Sequence, residues 1–143
     1  MTAFKHKTPI QIRFRDIDNL GHVNSAVHFS YFELSRIHYF DALMGKGARN
    51  YWAEISVVVA KVQMEYKQQI LLNDTVYSYV WVSRIGTKSF DMDFLLLKEV
   101  NGAEVELARG SATLVCINLK SNQTVAIPDE WKEKMILGSE SKN

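Results

Sequence analysis

The chain has 143 residues, of which 47% are apolar and 23% charged, the make-up of an ordinary globular protein long enough to bury a real core. Its 17 basic residues are offset by 16 acidic ones, so the strong basic excess of an electrostatic nucleic-acid binder is missing. The single cysteine, Cys116, excludes an internal disulfide and a cysteine-built zinc site. Set in the apolar run 114–117 with no base beside it, it reads as a buried small hydrophobe rather than a nucleophile.

The first nine residues lack the apolar stretch of a signal peptide. No segment approaches the ~18 unbroken apolar residues of a membrane span, so the cytoplasm is the expected compartment. There is no repeat, low-complexity tract or Pro/Gly/Ser-rich linker. A single domain over 1–143 is therefore expected, with its core over about 9–136 and frayed tails at residues 1–7 and 138–143.

Residues 9–15 alternate apolar with polar, with Ile10, Ile12 and Phe14 on one face, which predicts a half-buried strand. Residues 16–24 are polar, contain Gly21 and form a loop. From 25 to about 44 the period becomes helical. Val27, Tyr31, Leu34 and Ile37 recur at helical spacing, and Phe29, Phe32, Phe40 and Leu43 widen the apolar surface. A helix that is greasy on most sides is a buried one. Asn24 or Ser25 can cap its start, and Gly45 and Gly47 can end it.

Beyond the helix the period drops to two. Val58, Ala60, Val62, Met64 and Tyr66 face one way, and Lys61, Gln63 and Glu65 the other. Residues 76–84 and 89–98 make two further strands joined around Ile85, Gly86 and Thr87. Asn101-Gly102 is a type I′ hairpin signal leading into a long strand over 104–118. A turn at Ser121-Asn122 precedes a strand over 124–127, and Pro128 opens a short final helix. Asn73-Asp74 and residues 132–134 read as solvated surface.

The order is strand, long helix, then four or five antiparallel strands. Nothing else in the chain can cover so apolar a helix, so the sheet must wrap it. The expected fold is α+β, a curled antiparallel sheet of five to six strands around one long central helix. Its edge strands and outer face favour association into a homodimer or homotetramer.

The densest polar cluster is Arg15-Asp-Ile-Asp-Asn-Leu-Gly-His-Val-Asn-Ser25, between the first strand and the helix N-terminus. First-turn amides have no partners within a helix and sit at the positive end of its dipole. A thioester carbonyl aimed there meets preorganised donors for the charge that builds on its oxygen. Asp18, just upstream, can attack the carbonyl carbon or hold a water against it. The same residues also suit plain loop work: Asp and Asn favour turns, Asn24 caps, and Gly21 permits a bend. Asp16 alternates with Asp18 and is expected either to point the other way or to pair with Arg13 or Arg15. His22 is either a catalytic partner or a ring bonded to loop backbone.

The run Arg13-Phe-Arg-Asp-Ile-Asp-Asn-Leu-Gly-His-Val-Asn-Ser-Ala-Val-His-Phe-Ser-Tyr-Phe-Glu33 resembles the signature of the 4-hydroxybenzoyl-CoA thioesterase-like family, a hotdog-fold group. In element order the likeness runs from about Pro9 to Lys134. It implies an acyl-CoA thioesterase in which the second acid of the Asp-x-Asp pair, Asp18, is the working carboxylate. It also implies that a backbone N–H at the helix start, at Ser25 or a neighbour such as Asn24, polarises the carbonyl. The loop is similar too to that of plant acyl-carrier-protein thioesterases, whose Asp-x-Asn-x-His pattern meets Asp18 and His22. Leu20 stands in place of the Asn, so a mechanism that requires that Asn does not carry over.

By the same resemblance, Arg84, Lys88 and Ser89 are expected to contact the phosphates of CoA. Tyr31, Phe32, Val57, Val58 and Val59 are expected to contribute to an apolar acyl pocket. No metal or redox cofactor is implied; CoA enters as part of the substrate. Glu33, an acid on the helix itself, is the rival carboxylate, with an ion pair to Arg36 as its simpler role. An acyl-carrier-protein thioesterase, a dehydratase and a non-catalytic acyl-CoA-binding module stay open beside the acyl-CoA thioesterase.

Overall fold

The structure is a computed structural model that describes residues 5–45 and 54–141, with side chains to residue 136. In chain order it holds β1 (His6–Ile10), a 3-10 turn (Phe14–Asp16), α1 (Val27–Met44), β2 (Ile55–Tyr66), β3 (Val76–Ile85), β4 (Ser89–Val100), β5 (Ala103–Asn118) and α2 (Asp129–Ser141). The described strands form one antiparallel sheet in the order β1-β3-β4-β5-β2. The sheet wraps α1, which is the hotdog architecture that the resemblance implies.

Period-two patterning explains the sheet's two faces. Along β4, Phe90, Met92, Phe94 and Leu96 are buried, while Asp91, Asp93 and Leu95 alternate outward. From α1, Phe32, Tyr39 and Phe40 enter the main core, where the Phe32 ring lies 4.4 Å from that of Phe94. Trp131 and Met135 of α2 close that core. A second cluster, with Ile10, Val23, Tyr31, Ile70, Val76 and Leu96, lies under the loop that leads from β1 to α1. On the far side of α1, Leu34 and Ile37 are each 41% exposed. Among the described residues no helix is long and apolar enough to cross a membrane.

Besides the exposed Leu34 and Ile37, the structure differs from the pattern in several places. β1 lies earlier than 9–15, at His6–Ile10, and is an edge strand, where Pro9 is tolerated. Phe14 is 83% exposed on the 3-10 turn, because Asp16 bonds back to Arg13 and curls the chain before the alternation can continue. In β2 the register slips between Val59 and Lys61. This bulge puts both Val58 and Val59 outside while Val62 and Met64 turn toward the core. Residues 124–127 make only an isolated bridge, Thr124 to Ile117.

The Asn101-Gly102 hairpin is as expected, with φ of 53° and 81°. Gly45 ends α1 at φ 85°, its N–H donating to Asp41; Gly47 lies outside the described residues. Within the predicted tails, β1 takes in His6 and Lys7, and α2 runs to Ser141.

Candidate active site

The β1–α1 loop is anchored by Asp16. This carboxylate is only 2% exposed and accepts the Arg13 N–H (3.0 Å), the Arg13 guanidinium (3.2 Å) and the Tyr31 hydroxyl (2.9 Å). Burial works against its charge, but these donors outweigh that and hold its carboxyl below the ordinary range. Burial first, and then the Asp16 carboxylate, push the Tyr31 hydroxyl up. Of the two partners expected for it, Arg13 and Arg15, the carboxylate takes Arg13.

Beyond Asp16 the loop folds on itself as a short antiparallel ladder. The Asn24 N–H donates to the Asp16 carbonyl (3.0 Å), Ile17 bridges Val23, and the Asp18 N–H donates to the His22 carbonyl (3.0 Å). Gly21, at φ 89°, makes the turn and donates to the Asp18 carbonyl. Val23 ties the ladder to the body of the protein by donating to Ile70 (2.8 Å).

Asp18 is half-buried near the tip of this ladder. Its Oδ1 accepts the Leu20 N–H (2.9 Å), and its other oxygen accepts nothing among the described residues. His22, opposite, has Nδ1 at 3.4 Å from the Val23 carbonyl, so its ring lies against loop backbone.

At the helix end, Asn24 accepts the Ala26 N–H on its side chain (2.9 Å) and the Val27 N–H on its carbonyl (2.9 Å). The amides of His28 and Phe29 donate to Ser25 and Ala26 (3.2 Å each). From Asn24 to Phe29, only the Ser25 N–H is left without an acceptor among the described residues. Ser25 follows the last rung of the ladder, Asn24–Asp16, while Asp18 lies two residues on from that rung toward the tip.

Two residues that the sequence did not mark complete this end. The Tyr66 hydroxyl, from the last residue of β2, donates to the Ser25 carbonyl (2.9 Å). His28, 4% exposed, sets its ring edge-on to Tyr66 at 4.9 Å and 87°, with Nδ1 3.3 Å from the Asn24 carbonyl. Both contacts of Tyr66 come from tertiary packing, which no local motif announces, whereas the His28–Asn24 contact spans only four residues.

The other candidates lie elsewhere. Tyr31 and Phe32 are 5% and 2% exposed, the first engaged by Asp16 and the second stacked in the main core. Val57 is half-buried against that core, and Val58 and Val59 are exposed beside the bulge. Tyr31 belongs to the core cluster under the loop, while Phe32 and Val57 belong to the other. Glu33 is paired with Arg36. Burial pushes the Cys116 thiol up to about 11, which leaves it inert.

Arg84 and Ser89 flank the β3–β4 turn, which Lys88 occupies. The Arg84 guanidinium is bidentate on Asp91 (2.8 and 3.1 Å) and reaches Ser89 Oγ (3.0 Å). Lys88 is exposed and without an ion pair among the described residues. Ile10, where the loop departs, pairs with Val76 at the start of β3, whereas this turn follows Ile85. Within one chain the two sites are therefore about a strand's length apart, roughly 30 Å.

An open groove of about 520 Å³ lies on the outer sheet face and is lined by Lys5, Trp81, Asp93 and Arg109 among others. Its charges are already engaged: Arg109 on Glu106, Asp93 with Ser83, and Lys5 over the Trp81 ring. It shares none of its lining with the loop, so the loop is the better candidate for chemistry. Among the described residues no three His, Cys, Asp or Glu side chains gather to hold a metal ion.

Comparison with known proteins bears on the family and the fold. The model of a family described as the thioesterase-like superfamily matches residues 12–135. The chain is 26% identical over 132 residues to the long-chain acyl-CoA thioesterase FadM of Escherichia coli (strain K12), covering 90% of this chain and 96% of that protein. It is 33% identical to a thioesterase from Thermus thermophilus solved in complex with coenzyme A and Zn, with a TM-score of 0.76 over 92% of this chain and 91% of that one. A DHNA-CoA thioesterase from Staphylococcus aureus superposes with a TM-score of 0.83 at 19% identity, over 93% and 89% of the two chains. At that identity the likeness is one of fold.

Proposed function

The chain belongs to the thioesterase-like superfamily, and on that premise we propose that it hydrolyses an acyl-CoA thioester to the free acid and CoA. The observation that carries this reading is the Ser25 N–H, left without an acceptor on the same loop as the partly uncommitted Asp18 carboxylate. A thioester oxygen held by that amide at about 2.9 Å, with its carbon about 3–3.5 Å from an attacking oxygen, would join the two groups across the loop.

In this mechanism the Ser25 amide stabilises the negative charge that develops on the carbonyl oxygen. Asp18 either takes a proton from water as that water adds to the carbonyl carbon, or attacks the carbon itself to give a mixed anhydride that water then opens. In both routes the carbon–sulfur bond breaks and CoA leaves as the thiol. The Thermus relative's complex with coenzyme A supports CoA as the carrier. The reading places the reaction in the cytoplasm, where a free Cys116 stays reduced.

The reaction is further assigned to a subunit interface. The Lys88 turn lies about 30 Å from the Asp18 loop of its own chain, so a CoA with phosphates on Lys88 is best served by the loop of a second copy. The decisive experiment measures free thiol with a disulfide dye, using acetyl-, hexanoyl-, palmitoyl- and benzoyl-CoA and the matching acyl-carrier thioesters. Release of thiol from the CoA substrates is expected; a protein that binds them and never liberates thiol is not a hydrolase.

A further inference from the structure

The buried His28 is not used by the mechanism above, yet it touches the peptide group that the mechanism depends on. The Ser25 N–H and the Asn24 carbonyl are the two ends of one peptide unit. That carbonyl accepts the Val27 N–H at 2.9 Å and lies 3.3 Å from His28 Nδ1. A carbonyl only accepts, so His28 must carry its proton on Nδ1 to make this bond. The next peptide is pinned as well: the Ser25 carbonyl accepts the Tyr66 hydroxyl at 2.9 Å, and the Ala26 N–H donates to the Asn24 side chain at 2.9 Å. The edge-on contact of the His28 ring with Tyr66 couples the two clamps.

The geometry points to His28 as a positioning residue that fixes and polarises the Ser25 amide through the Asn24 carbonyl, with Tyr66 holding the adjoining carbonyl. An amide whose carbonyl accepts a hydrogen bond is a stronger donor at its N–H, because hydrogen bonds in a chain polarise one another. A donor locked in place before the substrate arrives needs no reorganisation as charge develops. Burial lowers the affinity of the imidazole for a second proton and keeps the ring neutral. This role rests on Ser25 as the polarising donor.

The test uses the full chain as His28→Phe, His28→Asn and Tyr66→Phe, assayed with the fastest-turning acyl-CoA of the panel and followed by ¹H–¹⁵N NMR at the Ser25 amide. Phe keeps an aromatic ring against Tyr66 without the donor, and Asn returns an N–H near the place of Nδ1. In His28→Phe, kcat is expected to fall about tenfold to a hundredfold with KM within about twofold. The Ser25 proton resonance is expected to move upfield in the same variant, and both effects should largely reverse in His28→Asn.

An unmoved resonance together with unchanged kcat overturns the role of His28, while inactivity of Asp18→Asn would leave the hydrolase reading standing. A moved resonance with unchanged kcat shows that Ser25 is not the polarising donor, and removes the proposal along with that part of the mechanism. Equal losses in the Phe and Asn variants with a raised KM mean a structural role only, which also overturns it. Should His28→Phe fail to fold, Tyr66→Phe reads the adjoining peptide by deleting one partly exposed hydroxyl. An unchanged kcat and Ser25 resonance there overturn the clamp.

Discussion

The hydroxyl of Tyr31 reaches 2.9 Å to the buried carboxylate of Asp16, and so fastens the second turn of α1 to the foot of the loop that carries Asp18. Two acids two residues apart have thus diverged in task. One is 2% exposed and fully engaged, while the other is half-buried with an oxygen to spare.

Removing that fastening should cost stability. Tyr31→Phe is expected to lower the unfolding free energy by about 1.5–3 kcal/mol, the range for a bond to a charged group, as measured by urea denaturation. The acid side of the stability profile should change too. The folded carboxyl of Asp16 sits below its ordinary 3.8, so the unfolded chain takes up the proton first as pH falls. The contribution is therefore complete above about pH 4 and is lost as pH drops through the folded value. Asp16→Asn should flatten that limb; an unchanged limb would mean that the carboxylate does not report on folding.

Asp18→Asn should separate chemistry from structure. Its one side-chain bond, from the Leu20 N–H, can be accepted equally by an amide oxygen, so the melting temperature should stay close to wild type. Turnover should fall by about a hundredfold to ten-thousandfold, with acyl-CoA affinity retained. Activity near wild type would take Asp18 out of the mechanism.

Lys88→Ala should raise KM for CoA thioesters and leave KM for truncated pantetheine thioesters unchanged, because only the former carry the nucleotide phosphates. Arg84→Ala is expected to behave differently. Its guanidinium is committed to Asp91 and Ser89, so its loss should loosen the β3–β4 turn only slightly, as for an exposed pair, with the denaturant midpoint close to wild type. An equal KM effect of Lys88→Ala on both substrate classes would argue against phosphate contact.

Gly110 should tolerate no side chain. A methyl group there would stand 2.3 Å from the Gln63 carbonyl oxygen and 2.5 Å from the Phe94 ring, and the first of these is backbone that cannot swing aside. Gly110→Ala is expected to cost about 3 kcal/mol or more, read as a lowered denaturant midpoint or loss of folded protein.

What could be read from the chain was what local patterns encode. The existence of α1, the Asn101-Gly102 turn and the period-two strands are signals carried within a few residues, but the expected stripe of Val27, Tyr31, Leu34 and Ile37 does not hold, since Leu34 and Ile37 face outward. Alternation anticipated a divergence of Asp16 from Asp18, but the structure sets it by the 3-10 turn and by the bonds of Asp16 to Arg13 and Tyr31. The early end of β1 could not be read, because it depends on one carboxylate bonding back to Arg13. Nor could the bulge after Val59, where a run of valines fits either register. Tyr66 and His28 escaped notice for a different reason. Tyr66 meets Ser25 across 41 positions of sequence, and a buried His one turn into a helix looks like any core residue until its neighbours are known. Tyr31 and Phe32, expected in an apolar acyl pocket, are buried, the first bonded to Asp16 and the second packed in the main core.

The sheet order also sets a timetable. β3, β4 and β5 are consecutive and joined by tight turns, so they can zip together early. β1 must find β3 from His6 to Val80, and β2 must find β5 from Ile55 to Asn118; such distant closures are entropically slow. The Asp18 loop hangs from β1, and Tyr66, which grips the other end of the loop, ends β2. Competence therefore waits for both margins of the sheet, and in a refolding experiment hydrolysis should return later than far-ultraviolet ellipticity; coincident recovery would mean that the margins close along with the centre.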